Sequence, residues 1–517
     1  MKRSDSLARL RGDGPFDFLV VGGGATGLGA AVDAAARGHK VALVEAHDFA
    51  KGTSSRSTKL VHGGVRYLRQ GNISLVVEAL KERGLLAANA PHLVHDLGFV
   101  IPTYKWWDGP FYGVGLKVYD TLAGRLGLGP SRVLGREETL ERIPTIETEG
   151  LIGGVLYHDG QFDDARLAVE LARTADRLGA TVANYVRAVS VTKRGGLVTG
   201  AVLRDEEGGG EFELRARAVI NATGVFVDEL RRADDPGAGG IVTVSQGVHL
   251  VLPKRFLPGD SAIMVPKTSD GRVLFAVPWH DRVVVGTTDT PLPRPSIEPR
   301  ALEEERAFLM EHACRYLAED PTPEDVLSIF AGLRPLVRHG DSSDTAALSR
   351  DHTILVSESG LLTVTGGKWT TYRKMGEDVI DHAEMIAGVE GRPCATQHLQ
   401  IHGWTHAAPE DPRFAWYGSD ARVLLDAIEA DPAEGEALHP SLPLRAAEVR
   451  HFARHEMART VEDALARRSR CLLLDARASI EVAERTAGIL AEELGRDAAW
   501  AAAQSAAYRE LAAGYVY

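Results

Sequence analysis

Six residues close to the start of the chain, Gly22-Gly23-Gly24-Ala25-Thr26-Gly27, have the types and spacing needed to hold a pyrophosphate. Glycine at 22, 24 and 27 removes the side chains that would keep phosphate oxygens from backbone N–H groups. A helix beginning at Ala25 directs its positive end to the same point. Glu45 follows Gly27 by 18 residues, where a carboxylate accepts hydrogen bonds from ribose hydroxyls and repels a 2′-phosphate. The chemistry is dinucleotide binding, and the motif alone leaves NAD and FAD both open. Other reactive constellations are weaker. His451 and His455 share a helix face beside Glu456, but no third ligand accompanies them, so no metal site is expected. Arg467-Arg468-Ser469-Arg470 reads as a solvated helix end.

These residues need elements to position them. Phe16–Val21 reads as an apolar strand, 25–37 as an alanine-rich helix and 40–45 as a second strand, a βαβ opening. Strand-like runs at 182–191, 197–203 and 218–221, with a helix near 165–178, continue the α/β pattern. From 241 to 289 the sequence alternates as β-structure does, and proline-rich turns follow at 291–299. Strand, glycine and helix return over 361–386, and beyond Gly391 the chain is rich in alanine, arginine and glutamate with helical periodicity. The expected organisation is a basic tail over 1–15, an oxidoreductase region over 16–390 and a helical domain over 391–517. Within the central region, cofactor-binding parts are placed at about 16–90, 150–235 and 330–390, and β-rich substrate parts at about 91–149 and 236–329. The fold class is α/β (α+β): a Rossmann-like dinucleotide-binding domain, a β-rich substrate domain and a C-terminal helical domain.

Composition narrows the function. The 517 residues carry a net charge of −12, which disfavours broad nucleic-acid binding and requires any anionic substrate to meet a local basic pocket. Cys314, Cys394 and Cys471 are too far apart for a CxxC metal or iron–sulfur pattern or a disulfide framework, as fits a reducing cytoplasmic compartment. The uncharged stretch 236–253 is broken by prolines and glycines and is not read as a membrane span. The opening fourteen residues have no apolar core and are read as a frayed basic tail rather than a signal peptide.

The run Gly52-Thr53-Ser54-Ser55-Arg56-Ser57-Thr58-Lys59-Leu60-Val61-His62-Gly63-Gly64-Val65-Arg66-Tyr67 is too polar for core and too glycine-rich for regular structure. It closely resembles the signature of FAD-dependent glycerol-3-phosphate dehydrogenases, within the D-amino-acid-oxidase-like flavoproteins. The resemblance recurs at Asn221-Ala222-Thr223-Gly224, Gly286-Thr287-Thr288-Asp289, 331–336, Ser349-Arg350-Asp351 and 365–374, and the tail from His455 onward is similar to that family's helical domain. Trp369 departs from the leucine more usual there. The resemblance implies FAD as cofactor, held by Gly22, Gly24, Gly27, Glu45, Thr53, Ser54, His62, Gly63, Gly64, Ala222, Thr223, Gly224, Gly367, Lys368 and Thr370. Gly366-Gly367 also precede a helix whose unsatisfied N–H groups can stabilise negative charge on a reduced flavin, a device that a nicotinamide enzyme does not need.

The resemblance further implies glycerol 3-phosphate as substrate, with Arg66, Tyr67, His249, Arg334, Arg350 and Lys368 around it. Guanidinium forks suit its phosphate. His249 is the preferred proton acceptor, Arg334 its catalytic neighbour and His62 a rival base. Electrons are expected to pass to a membrane quinone, with dioxygen the alternative acceptor. Amine or amino-acid oxidation and nucleic-acid modification are more remote alternatives. The stretch 104–119 mixes aromatics and lysines; core packing is the reading preferred, with bilayer contact the alternative. The expected setting is cytoplasmic, with a peripheral place on the inner face of the cell membrane as the option the quinone acceptor implies, and a homodimer is compatible with the sequence.

Overall fold

The computed structural model describes residues 1–64, 72–266, 268, 272–338 and 351–517. Phe16–Val21 lies inside an eight-stranded sheet, flanked in parallel by Glu211–Asn221 and Val41–Val44. Leu362–Gly366 and Thr181–Ala183 extend the parallel set, and His352–Val356 closes one edge antiparallel. Phe18 and Val20 enter one core with the helices Ala25–Ala36, Asp164–Arg177 and Tyr372–Ala387, whereas Leu19 and Val21 enter the core on the opposite face. A strand buried on both faces is why this sequence is almost continuously apolar. Two of the covering helices cross closely because Gly29 and Gly376 face each other. A Cβ on Gly29 would meet the Tyr372 carbonyl at 2.6 Å, and one on Gly376 the Gly29 backbone at 2.6 Å.

The second, ten-stranded sheet is centred on Val242–Pro253, which pairs antiparallel with Ser328–Val337 and with Arg282–Gly286. Its alternation divides its side chains. Val248, Leu250 and Leu252 fill a core on one side, while Val251 joins the core of the C-terminal helices on the other. Gly153–Phe162 also pairs in this sheet, as does Ser328–Val337, so both strands fall outside the sheet that the expected borders near 150 and 330 would give them. Their apolar pattern fits either sheet, and only distant partners decide between the two.

Three stretches differ from expectation. Residues 3–12 form a helix rather than a frayed tail. Arg3 is buried, its guanidinium donating to the carbonyls of Asn184 and Tyr185 and pairing with Asp205. Arg467, Arg468 and Arg470 are 2–3% exposed, because Asp48, Asp163, Asp164, Glu456 and Asp463 surround them. An arginine cluster reads as surface only until its counter-ions, hundreds of residues away, are known. The helix Asp108–Ala123 buries Leu116 and Tyr119, yet its Phe111 and Val114, and Trp106 just before it, are 61–76% exposed, against the core reading of 104–119.

Candidate functional site

The Gly22–Gly27 turn joins Phe16–Val21 to the helix Ala25–Ala36. Gly22 has φ +115°, and a Cβ there would meet the Ala222 carbonyl at 2.5 Å; Gly27 packs directly on the Gly22 carbonyl. The first-turn N–H of Ala25 donates to the Ser54 hydroxyl at 2.9 Å, and Thr53 donates its own to the Leu333 carbonyl at 2.6 Å. The Glu45 carboxylate accepts from the N–H groups of Gly23 and His47 at 2.6 and 2.9 Å. Burial raises its pKa, and those two N–H groups oppose the rise. Ala222, Thr223 and Gly224 follow the parallel neighbour strand, where the Asn221 side chain accepts from the Thr223 hydroxyl at 2.8 Å.

A continuous cavity of about 620 Å³ runs along this cradle. One end is lined by Glu45, His47, Arg187 and Arg204. Its middle is lined by Gly22, Gly24, Thr53, Ser54, Ala222, Thr223 and Gly224, and its far end by Gly366, Gly367, Lys368 and Trp369. Gly366 and Gly367 take φ +81° and +74°, turning the strand Leu362–Gly366 into the helical segments that begin at Trp369. Both helix N-termini therefore meet one cavity, the electrostatic setting for a pyrophosphate beside Ala25 and for developing negative charge beside Gly367. Gly27→Ala puts a methyl into the Gly22 carbonyl. An overpacking cost of about 1–3 kcal/mol is expected to weaken dinucleotide retention about 10- to 100-fold, read from the flavin-to-protein absorbance ratio after gel filtration.

Next to the far end, Trp369 donates its indole N–H to the Ser54 carbonyl at 2.9 Å, and the Thr370 hydroxyl accepts from the His62 N–H at 3.2 Å. The Gly63 N–H donates to the Tyr119 hydroxyl at 2.9 Å, which itself donates to Asp159, the partner of buried Arg83. Gly64 has φ +76°. The 62–64 segment is thus fixed from both sides.

His249 and Arg334 lie on the neighbouring face of the second sheet. His249 pairs across Val242–Pro253 with Gly286 and Phe330 and stacks on the Phe330 ring at 4.8 Å. Its Nε2 is 2.9 Å from the Thr58 hydroxyl, and among the described residues Nδ1 has no hydrogen-bond partner. Burial, then the charges of Lys59 and Arg334, lower its pKa well below 6.5, so the ring is neutral. Arg334 donates to the Thr287 hydroxyl and the Thr288 carbonyl, both at 3.1 Å, and lies 3.3 Å from Asp289.

The structure gathers Gly22, Gly24, Glu45, Thr53, Ser54, Ala222, Thr223, Gly224, Gly367 and Lys368 along one cavity. Gly27 lies behind the cavity wall, and His62, Gly63, Gly64 and Thr370 form the adjoining segment. His249 and Arg334 do not line the cavity; Pro335, next to Arg334, is a lining residue, and Thr58, which contacts His249, is not. Arg66, Tyr67 and Arg350 lie outside the described residues. His47, Arg187 and Arg204 were not singled out in the sequence, since nothing in their spacing links them to Glu45. Thr58 and Lys59 stand within the quoted 52–67 run, but only the fold shows that they reach His249.

The cradle and the two sheets define a dinucleotide-dependent oxidoreductase of the flavoprotein class. A family model described as FAD dependent oxidoreductase matches residues 17–373, and one described as the C-terminal domain of alpha-glycerophosphate oxidase matches 394–501. The chain is 40% identical to the mitochondrial glycerol-3-phosphate dehydrogenase of Homo sapiens, over 96% of this chain and 73% of that protein. The crystal structure of a Bacillus halodurans glycerol-3-phosphate dehydrogenase complexed with FAD superimposes with a TM-score of 0.81 at 30% identity, covering 100% of this chain and 98% of that one. An L-alpha-glycerophosphate oxidase of Mycoplasma pneumoniae shares the fold, at 18% identity and a TM-score of 0.57 over 75% of this chain and 99% of that one. The chain belongs to the glycerol-3-phosphate dehydrogenase branch of the FAD-dependent oxidoreductases. FAD is its cofactor, and the cavity lined by Glu45, the Gly22–Gly24 turn and the Gly366-Gly367 turn, with the N-terminal ends of two helical segments at Ala25 and Trp369, fits that group.

Proposed function

We propose that the protein oxidises sn-glycerol 3-phosphate to dihydroxyacetone phosphate and passes two electrons to a membrane quinone. Likeness to glycerol-3-phosphate dehydrogenases along almost the whole chain carries the reading. FAD supplies the acceptor for the hydride that leaves C2. The chain's own part is to bind the phosphate and take the hydroxyl proton. His249 is assigned the proton: a ring kept neutral by burial and by two nearby cations has a lone pair available at neutral pH. Arg334, Arg66, Tyr67, Arg350 and Lys368 are assigned to the substrate, whose dianion needs local cations in a chain of net charge −12. His62 and its neighbours are assigned to the flavin. Under anaerobic conditions, glycerol 3-phosphate is expected to bleach the oxidised-flavin band. A yellow protein that does not bleach sinks the substrate assignment.

The quinone reading is supported by the surface of the helix Asp108–Ala123. Trp106, Trp107, Phe111, Val114 and Val118 are all exposed, and Lys105 and Lys117 flank them. Aromatic, aliphatic and cationic side chains on one exposed face suit the headgroup boundary of an anionic bilayer. No helix among the described residues is long and apolar enough to cross a membrane. Reversing both lysines (Lys105→Glu with Lys117→Glu) changes the local charge by four. At about 1 kcal/mol per charge, binding to phosphatidylserine-containing liposomes is expected to fall more than tenfold in a flotation assay. Unchanged binding removes this face from the membrane. The alternative acceptor, dioxygen, is distinguished by comparing oxygen uptake with quinone reduction at equal substrate.

A further inference from the structure

We infer that Asp164, with Lys59 and Arg470 bound to it, positions His249 by holding Thr58 against the ring, so that one imidazole nitrogen is occupied and the other is left to take the substrate proton. The inference rests on His249 being the base. Asp164 is the first residue of the helix Asp164–Arg177 and is wholly buried. Its carboxylate accepts from the Ser57 N–H at 2.9 Å, the Ser57 hydroxyl at 2.7 Å, the Lys59 ammonium at 2.8 and 2.9 Å, the Arg470 guanidinium at 2.9 Å and the Ala165 N–H at 2.8 Å. Lys59 and Arg470 both donate again to the Ser55 carbonyl, at 2.9 and 2.8 Å. Residues 55, 57 and 59 are therefore tied to one group, and Thr58, between two of them, has its hydroxyl on His249 Nε2 at 2.9 Å.

The arrangement is costly unless it has a use. A fully buried ion cluster does not by itself stabilise a fold more than apolar side chains of equal volume would. Arg470 also adopts a left-handed backbone, φ +65°, which a non-glycine residue takes only when its surroundings impose it. What the cluster does fix is geometry at the ring. Phe330 bears on both parts, stacked on His249 at 4.8 Å and lying 5.2 Å from the Lys59 ammonium. A neutral imidazole has one protonated nitrogen and one acceptor. In the tautomer assigned here the Nε2–H donates to the Thr58 hydroxyl, and Nδ1, buried and without a hydrogen-bond partner among the described residues, is the acceptor. Arg470 comes from the C-terminal helical region, which thereby contributes to the cluster that holds Thr58.

The charged groups facing this cluster are few. Lys59 faces Asp164, Asp163 and Arg470; His249 faces Lys59 and Arg334; Asp163 is 3.4 Å from His280 and 3.5 Å from Arg470. Burial, and then Arg470, lower the Lys59 ammonium to about 8 against the pull of the aspartates.

The test compares Thr58→Val, Thr58→Ser, Asp164→Asn and His249→Gln in the FAD-loaded enzyme by anaerobic stopped-flow reduction across pH. Thr58→Val keeps the shape and removes the hydroxyl. It is expected to slow reduction about tenfold or more, to move the acid limb of the pH profile and to leave the substrate concentration for half-maximal rate within about twofold, because Thr58 acts through the base and not on the phosphate. Thr58→Ser is expected to restore both rate and limb. Asp164→Asn, where it folds, is expected to match Thr58→Val. Wild-type rate and profile in Thr58→Val, with His249→Gln slow, overturns the positioning role and leaves the base intact. Thr58→Ser as slow as Thr58→Val, or a rate loss with an unmoved limb, also overturns it. His249→Gln at wild-type rate removes the base and this inference with it.

Discussion

Replacement of His249 by glutamine is expected to slow anaerobic flavin reduction by glycerol 3-phosphate about 100- to 10,000-fold at neutral pH, while the protein keeps its FAD. Glutamine roughly matches the ring in reach but cannot hold a proton. No part of the cavity wall changes, because His249 does not line it. In the wild-type enzyme, the rate depends on His249 being neutral. Burial, Lys59 and Arg334 place its pKa well below 6.5, so the acid limb of the rate profile is expected below the ordinary histidine range. The same shift has a stability sign. Below about pH 6.5 the unfolded chain binds this proton and the folded chain does not, so the histidine's contribution is intact above that pH and is lost as pH falls. A urea titration of the wild type and His249→Gln from neutral to acid pH measures the difference. Equal pH slopes would remove the depressed pKa.

Asp48→Asn is expected to destabilise the protein by about 3–5 kcal/mol, the cost of removing one partner from a buried ion group. Asp48 is fully buried. The Arg468 guanidinium grips both its oxygens at 2.6 and 2.8 Å, and Arg467 adds a bond at 2.5 Å. Burial alone would raise the carboxyl, but Arg468 and Arg467 outweigh it and hold it well below the usual range. Its stabilisation is therefore present above the ordinary aspartate pKa and fades as pH drops beneath it. The expected loss is large because the asparagine leaves two buried guanidinium groups short of charge. Chemical denaturation of FAD-loaded protein at neutral pH measures it. A loss below about 1 kcal/mol would mean that Asp463 and Glu456 carry the compensation instead.

Much of the nucleotide half was legible in the sequence, because its signals are local. Glycine spacing, the Ala25–Ala36 helix and Glu45 lie within one βαβ unit, and each constrains the next. The second sheet was legible as β-structure but not in its membership: Gly153–Phe162 and Ser328–Val337 look like strands of either sheet, and their partners in Val94–Thr103 and Val242–Pro253 decide. Arg467, Arg468 and Arg470 misled for a related reason. Their type suggests solvent, and their burial is set by Asp48 and Asp164, in distant parts of the chain. The N-terminal helix was hidden in the same way, since Arg3 is anchored by Asp205 and two carbonyls rather than by an apolar stripe of its own. Thr58 had no signal beyond its place in a polar glycine-rich run.

The spacing of these charge partners also orders events as the chain is made. Asp48 and Arg468 are 420 positions apart, and Asp164 and Arg470 are 306 apart. Both carboxylates are translated hundreds of residues before these guanidinium partners. Until residues 467–470 have left the ribosome, Asp48 lacks both of its guanidinium partners, and Asp164 has Lys59 but not Arg470. Co-translational maturation of this half therefore waits for residues 467–470, and a nascent chain arrested before residue 467 is expected to remain a client for chaperones and proteases.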